Sequence, residues 1–202
     1  MKSIINAKNA LALLFLIPIL TSAISFVIPN DINHKIPTII YLCCYLISGL
    51  SCLYLAHTEN KLVTNKKQKI GLYLLSFYYI ICDELINRFL SIINEKYTIY
   101  NMVSNMCTEQ TEHIMYTSLI YSFFNLIYII AFLIFIWGIP TKKSTKWQLT
   151  LLFFIPSIVR VVIPIYDFIE SQHLLYQTFD IACYGLMLFL VTKAYKSKIN
   201  IN

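Results

Sequence analysis

The sequence predicts an all-α membrane protein: a single domain, residues 1–202, built as a bundle of six transmembrane helices with the N-terminus and C-terminus cytoplasmic. Three observations predict it. Hydrophobic residues make up 58% of the chain and charged residues only 13%, a balance unsuited to a water-facing surface. Six apolar stretches are each long enough to cross roughly 30 Å of hydrocarbon at about 1.5 Å per residue. The lysines concentrate in alternate connections between those stretches, as an orienting signal does.

The six stretches lie at 10–29, 36–56, 70–93, 114–139, 148–168 and 174–194. The first follows Lys2 and Lys8 and also has the shape of a signal peptide, with Thr21-Ser22-Ala23 as a cleavage site. Its apolar run continues past Ala23 to Pro29, a full span, and cleavage would leave the other five orientations unchanged. Pro29, Pro37 and Pro140 sit at or near the ends of stretches, where a missing N–H does least harm. Pro18, Pro156 and Pro164 fall inside the first and fifth, where the ring displaces a backbone bond and predicts a kink. With four glycines against 15 tyrosines and 13 phenylalanines, bulky aromatics rather than Gly-xxx-Gly pairs are expected to fill the bundle.

The lysines set the orientation. Lys2 and Lys8, then Lys61, Lys66, Lys67 and Lys69, then Lys142, Lys143 and Lys146, then Lys193, Lys196 and Lys198 all fall on one side, against Lys35 and Lys96 on the other. The poor side carries Asp31, Glu95, Glu109, Glu112, Asp167 and Glu170 instead. By the positive-inside rule the lysine-rich side is cytoplasmic. The net charge of +6 is thereby accounted for by topology; lysines placed between apolar runs do not make a nucleic-acid surface. Abundant Ile, Asn, Lys and Tyr fit an AT-rich, bacterial genome, and so a multi-pass protein of the cytoplasmic cell membrane. The longest hydrophilic stretch, 94–113, is a connection on the outer side. There Ile99, Val103 and Met106 recur at helical spacing, which suits a short interfacial helix or a plain loop.

Five charges remain inside the spans: Asp83, Glu84 and Arg88 in the third, Arg160 in the fifth and Asp180 in the sixth. Each costs about 2.5–3.5 kcal/mol near a helix centre, so the third span carries about 8–10 kcal/mol of opposition and needs its polar face turned inward. At α-helical spacing Ser76, Asp83, Asn87 and Ser91 share one stripe, with Glu84 and Arg88 beside it at i and i+4. Ser157, Arg160 and Asp167 mark a polar face on the fifth span; His173, Gln177, Asp180 and Tyr184 mark one on the sixth. Counted along the helices, Asp83 lies about 15 Å, Arg160 about 12 Å, Asp180 about 9 Å and Arg88 about 8 Å from the outer ends. If the faces meet, three carboxylates and two guanidinium groups form a pocket open to the non-cytoplasmic side, with Asn125, Tyr121, Tyr128, Tyr41, Tyr45 and Ser48 available for its walls.

Two roles compete for these charges. As ionic glue, Glu84 pairs with Arg88, and Asp83 or Asp180 with Arg160, in a bundle that lacks a hydrophobic force between helices. As a site, Asp83, Glu84, Asn87, Arg88, Arg160, Asp180, Tyr184, Gln177 and Asn125 bind or conduct a small polar or cationic solute. Two other functions stay open: a lipid-acting intramembrane enzyme using Asp83 and Asp180 as an acid/base pair, and an accessory or sensor protein working through a protein partner, or a second copy, at the basic loops. A non-enzymatic role is preferred, with no cofactor, no metal and no nucleic acid, and the lipid bilayer as a partner. No His-Glu-x-x-His, Gly-x-Ser-x-Gly, phosphate-binding glycine loop or Gly-x-Gly-Asp occurs. Cys43-Cys44 suits helix packing as well as soft-metal transport. Cys107 and Cys183 form a candidate disulfide, and Glu109, Glu112 and His113, or Asp167, Glu170 and His173, suit either solvated helix ends or a divalent metal.

Overall fold

The computed structural model describes residues 2–27, 35–57, 63, 65–87, 107–162 and 169–199, and among them every regular element is helical. The described residues form six helices: α1 (Lys2–Val27), α2 (Lys35–His57), α3 (Lys66–Phe77, continued by a π-helical segment Tyr78–Asn87), α4 (Cys107–Gly138), α5 (Lys143–Val162) and α6 (Ile169–Ile199). Three contain windows long and apolar enough to cross a membrane: Ala7–Ile24, Ile40–His57 and Leu175–Lys196. A shorter apolar helix runs over Ser122–Gly138.

Each helix packs on its neighbours in sequence, and α6 returns to pack on α1, so the six close a ring. The lysine-bearing ends of four of them are tied together. Asn65 caps α3, its Oδ1 accepting from the Lys67 N–H at 3.0 Å, while its Nδ2 donates to the Gly138 carbonyl at the end of α4 at 3.2 Å. The Gln68 amide donates to the Tyr195 hydroxyl of α6. Lys146 of α5 donates from Nζ to the Trp137 carbonyl at 2.8 Å, placing a cation on the carbonyl end of α4 where the helix dipole favours one.

Above this junction the ring is filled. Leu72, Leu75, Phe132, Phe135, Ile136, Leu149, Met187 and Val191 are buried, together with Leu11, Leu14 and Phe15 of α1 and Cys52 and Leu55 of α2. Phe132 stacks on Phe153 with centroids 4.5 Å apart and meets Phe15 and Phe135 edge-on at 6.2 Å. Aromatics fill the interior, as the composition implies. The scarce glycines nevertheless set the closest helix approach: a Cβ on Gly71 would stand 2.5 Å from the Phe135 backbone nitrogen, and one on Gly138 2.6 Å from that of Gln68. Two isolated glycines on facing helices thus do what no repeated motif in the sequence announces.

Two expectations change. The third span is not one regular α-helix: from Tyr78 its bonds run i to i+5, so each turn holds more residues and positions four or seven apart drift off a common face. The expected stripe from Ser76 through Asp83 to Asn87 assumes α-helical spacing, which the backbone of this segment does not keep, while the pairing of Glu84 with Arg88 and the place of Ser91 lie outside the described residues. Cys183 is a free thiol, which overturns its pairing with Cys107. Pro18 and Pro156 do lie inside α1 and α5, and Thr21 Oγ1 donates to the Pro18 carbonyl at 2.9 Å. Pro164, residues 94–106 and Asp167 lie outside the described residues, as do the side chains of Glu109, Glu112, His113, Glu170 and His173.

Candidate functional site

Beyond the packed layer the ring opens into a cavity of about 520 Å³ to which all six helices contribute. Pro18, Thr21 and Ser22 come from α1, Tyr45 and Ser48 from α2, and Tyr78 and Tyr79 from the π segment. Asn125 and Tyr128 come from α4, Phe153, Pro156 and Ser157 from α5, and Asp180 and Tyr184 from α6. Both helix-interior prolines described therefore stand at cavity level, where each removes one backbone hydrogen bond from its helix. The volume falls in the range of small-molecule sites.

Tyrosines line the cavity densely. Tyr128 is the hub: its ring packs against Tyr78 at 4.8 Å, Phe153 at 5.7 Å, Phe132 at 5.8 Å and Tyr79 at 6.0 Å, and its hydroxyl lies 3.4 Å from that of Tyr184. Tyr45 stacks on Tyr79 at 6.0 Å. Such rings turn apolar faces and hydroxyl tips toward the same space. Asp180 is buried, at 9% exposure, and supplies a carboxylate in the cavity wall. Ser48 is 1% exposed, and its Oγ has no hydrogen-bond partner among the described residues. A buried hydroxyl left in that state costs about 1–3 kcal/mol, which a ligand with a polar group would recover.

Of the residues expected from the sequence, the structure brings Asp180, Tyr184 and Asn125 to this cavity, with Tyr45, Ser48, Tyr128 and Ser157. Gln177 is buried one turn from Asp180 and does not line it. Tyr41 is half-buried and also stands apart. Asp83, Glu84 and Asn87 belong to the π segment and Arg160 to α5, but their side chains, like that of Tyr121 and the whole of Arg88, lie outside the described residues. Sequence reasoning missed Tyr78 and Tyr79, which carry no charge to draw attention, and the α1 contribution. The signal for α1 was present: Pro18, Thr21 and Ser22 put a proline and two hydroxyls in the middle of an otherwise apolar span.

Within the described residues no group of three His, Cys, Asp or Glu side chains is disposed to hold a metal. Among the described residues the cavity presents the Asp180 carboxylate, several hydroxyls, the Asn125 amide and a set of aromatic faces. No family model, curated protein or solved structure matches the chain.

Proposed function

We propose that the chain is a multi-pass protein of six transmembrane helices in a bacterial cytoplasmic membrane, with its lysine-rich end at the cytoplasm, and that it binds a small polar or cationic solute in the cavity around Asp180. The observation that carries the binding role is the cavity itself: about 520 Å³ ringed by the six described helices, holding a buried carboxylate and, at Ser48, a buried hydroxyl with no partner among the described residues. Ionisable groups at membrane depth are costly and tend to mark sites. The tyrosine faces add attraction for a cation. The gathering of Lys66, Lys67, Lys142, Lys143, Lys193 and Lys196 toward one end of the ring supports the orientation. The packed layer of Phe132, Phe135, Leu72 and Met187 between cavity and lysines favours binding over conduction.

Binding is tested by calorimetric titration of small ammonium compounds into purified protein, wild type against Asp180→Asn. A hydrogen bond to a charged group contributes about 1.5–3 kcal/mol, so the variant is expected to bind at least tenfold more weakly while keeping its helical circular dichroism. Equal binding by both proteins removes Asp180 from the site. Loss of fold in the variant instead makes the carboxylate a structural tie. Orientation is tested by labelling of single cysteines with an impermeant maleimide in whole cells: Lys142→Cys is expected to stay unlabelled until the membrane is opened.

A further inference from the structure

The ring is not equally tight all the way round. Of its neighbouring pairs, α4 and α5 share the least contact. Between their described residues, ring and hydrogen-bond contacts run from the lysine-rich end, where Trp137 meets Trp147 and Lys146 reaches the Trp137 carbonyl, up to Phe153 against Phe132 and Tyr128. About one turn further on stand Asn125 of α4 and Ser157 of α5. Among the residues lining the cavity, these two are the exposed ones. Near them, beside the exposed Ser122, Phe123, Leu126 and Ile158 are 59%, 51% and 52% exposed, large apolar side chains of the kind that face acyl chains.

On the basis of the binding role proposed above, we infer that the ligand is an amphiphile that reaches the cavity sideways from the bilayer, between α4 and α5. Its compact ammonium head occupies the cavity with Asp180 and the tyrosines, and its alkyl chain passes out between Asn125 and Ser157 to lie along Leu126 and Ile158. A solute without a chain would have to shed its hydration to cross a hydrocarbon-facing mouth. A bare metal ion would leave most of about 520 Å³ unfilled. An anionic head would meet the Asp180 carboxylate, whereas an ammonium head suits both that carboxylate and the ring faces. The two polar side chains at the mouth fit the junction between head and chain.

The test uses the full chain in lipid nanodiscs, with Trp137→Phe and Trp147→Phe removing the native tryptophans and one reporter restored at a time: Ile158→Trp beside the mouth, or Leu50→Trp on α2, where the side chain is 58% exposed. The probe is dodecyltrimethylammonium brominated on its chain, which quenches nearby tryptophan. Saturable quenching is expected at position 158, reversed by tetramethylammonium and lost in Asp180→Asn; at position 50 only quenching that grows linearly with probe in the bilayer is expected. Because the bilayer concentrates the chain, the probe should half-saturate at an aqueous concentration about tenfold or more below that of tetramethylammonium. Linear quenching at both positions, with tetramethylammonium still stabilising wild type and not Asp180→Asn against heat, overturns the lateral route and leaves the ligand role intact. If neither compound binds in a way that depends on Asp180, both fall. If Asp180→Asn does not fold, reversal by tetramethylammonium at position 158 on the protein that keeps Asp180 makes the same distinction.

Discussion

The two halves of the ring solve opposite problems. Toward the lysine-rich end the helices approach until glycine is the only residue that fits: the backbones at Gly71 and Gly138 press on α4 and α3 respectively, and the end groups are tied by Asn65, Gln68 and Lys146. Further along the ring axis the same helices part around a cavity, with tyrosines at many positions of its wall and a buried carboxylate and a buried hydroxyl. In the bilayer setting proposed above, no hydrophobic force drives helices together, so van der Waals contact and hydrogen bonding must do it. Concentrating those contacts at one end leaves room at the other for a polar group such as the Ser48 hydroxyl, which has no partner among the described residues. Fold and site are therefore separable by mutation to an extent that an evenly packed bundle would not permit.

That division can be broken most sharply at Phe132, which joins α4 to α1 and α5 by ring contacts. Phe132→Ala is expected to cost about 3–5 kcal/mol, read as a lower midpoint in thermal unfolding of detergent-purified protein. Gly71→Ala comes next, at about 1–3 kcal/mol, because the obstacle its methyl meets is backbone and cannot rotate away. A cost as small as that of a surface change would mean that the α3–α4 contact is looser than described. In the cavity the sign should reverse. Ser48→Ala removes a buried oxygen with no partner among the described residues and is expected to leave stability unchanged or raise it by up to about 1 kcal/mol, while weakening ligand binding. Smallest is Gly185→Ala, where a Cβ meets nothing within 4 Å; a gain of up to about 1 kcal/mol is expected from helix propensity alone.

Much of the helical architecture is legible in the sequence because long, uninterrupted apolar stretches mark where helices run. The apolar stretches at 36–56 and 174–194 lie within α2 (Lys35–His57) and α6 (Ile169–Ile199), and the helix count follows from the same pattern. The division into a tight and an open half is not legible. It depends on which residues face which across the ring, and a hydropathy profile holds no information on the rotation of one helix against another. The π segment is hidden for a related reason: Tyr78–Asn87 has ordinary helical composition, and its altered turn shifts Tyr78 and Tyr79 relative to Asp83 without changing any residue type. Charges drew attention to Asp180, and local proline and hydroxyl content could have drawn it to Pro18, Thr21 and Ser22. The aromatic wall is less conspicuous, since tyrosine is common everywhere in this chain.

The clasp between Lys146 and the Trp137 carbonyl has a mechanical consequence. It pins α4 and α5 together beside their short connection, Ile139–Lys142, as a rivet pins the arms of a pair of tweezers. Asn125 lies 13 residues from Gly138, the last residue of α4, a lever of about 20 Å. Swinging one arm by about 5° about the rivet changes the gap at Asn125 by roughly 1.7 Å at that arm length, comparable to the radius of a methyl group. The separation of Asn125 from Ser157 is thus sensitive to the angle between α4 and α5 at the far end of the hairpin, where the Lys146 hydrogen bond and the Trp137–Trp147 contact together hold the pivot.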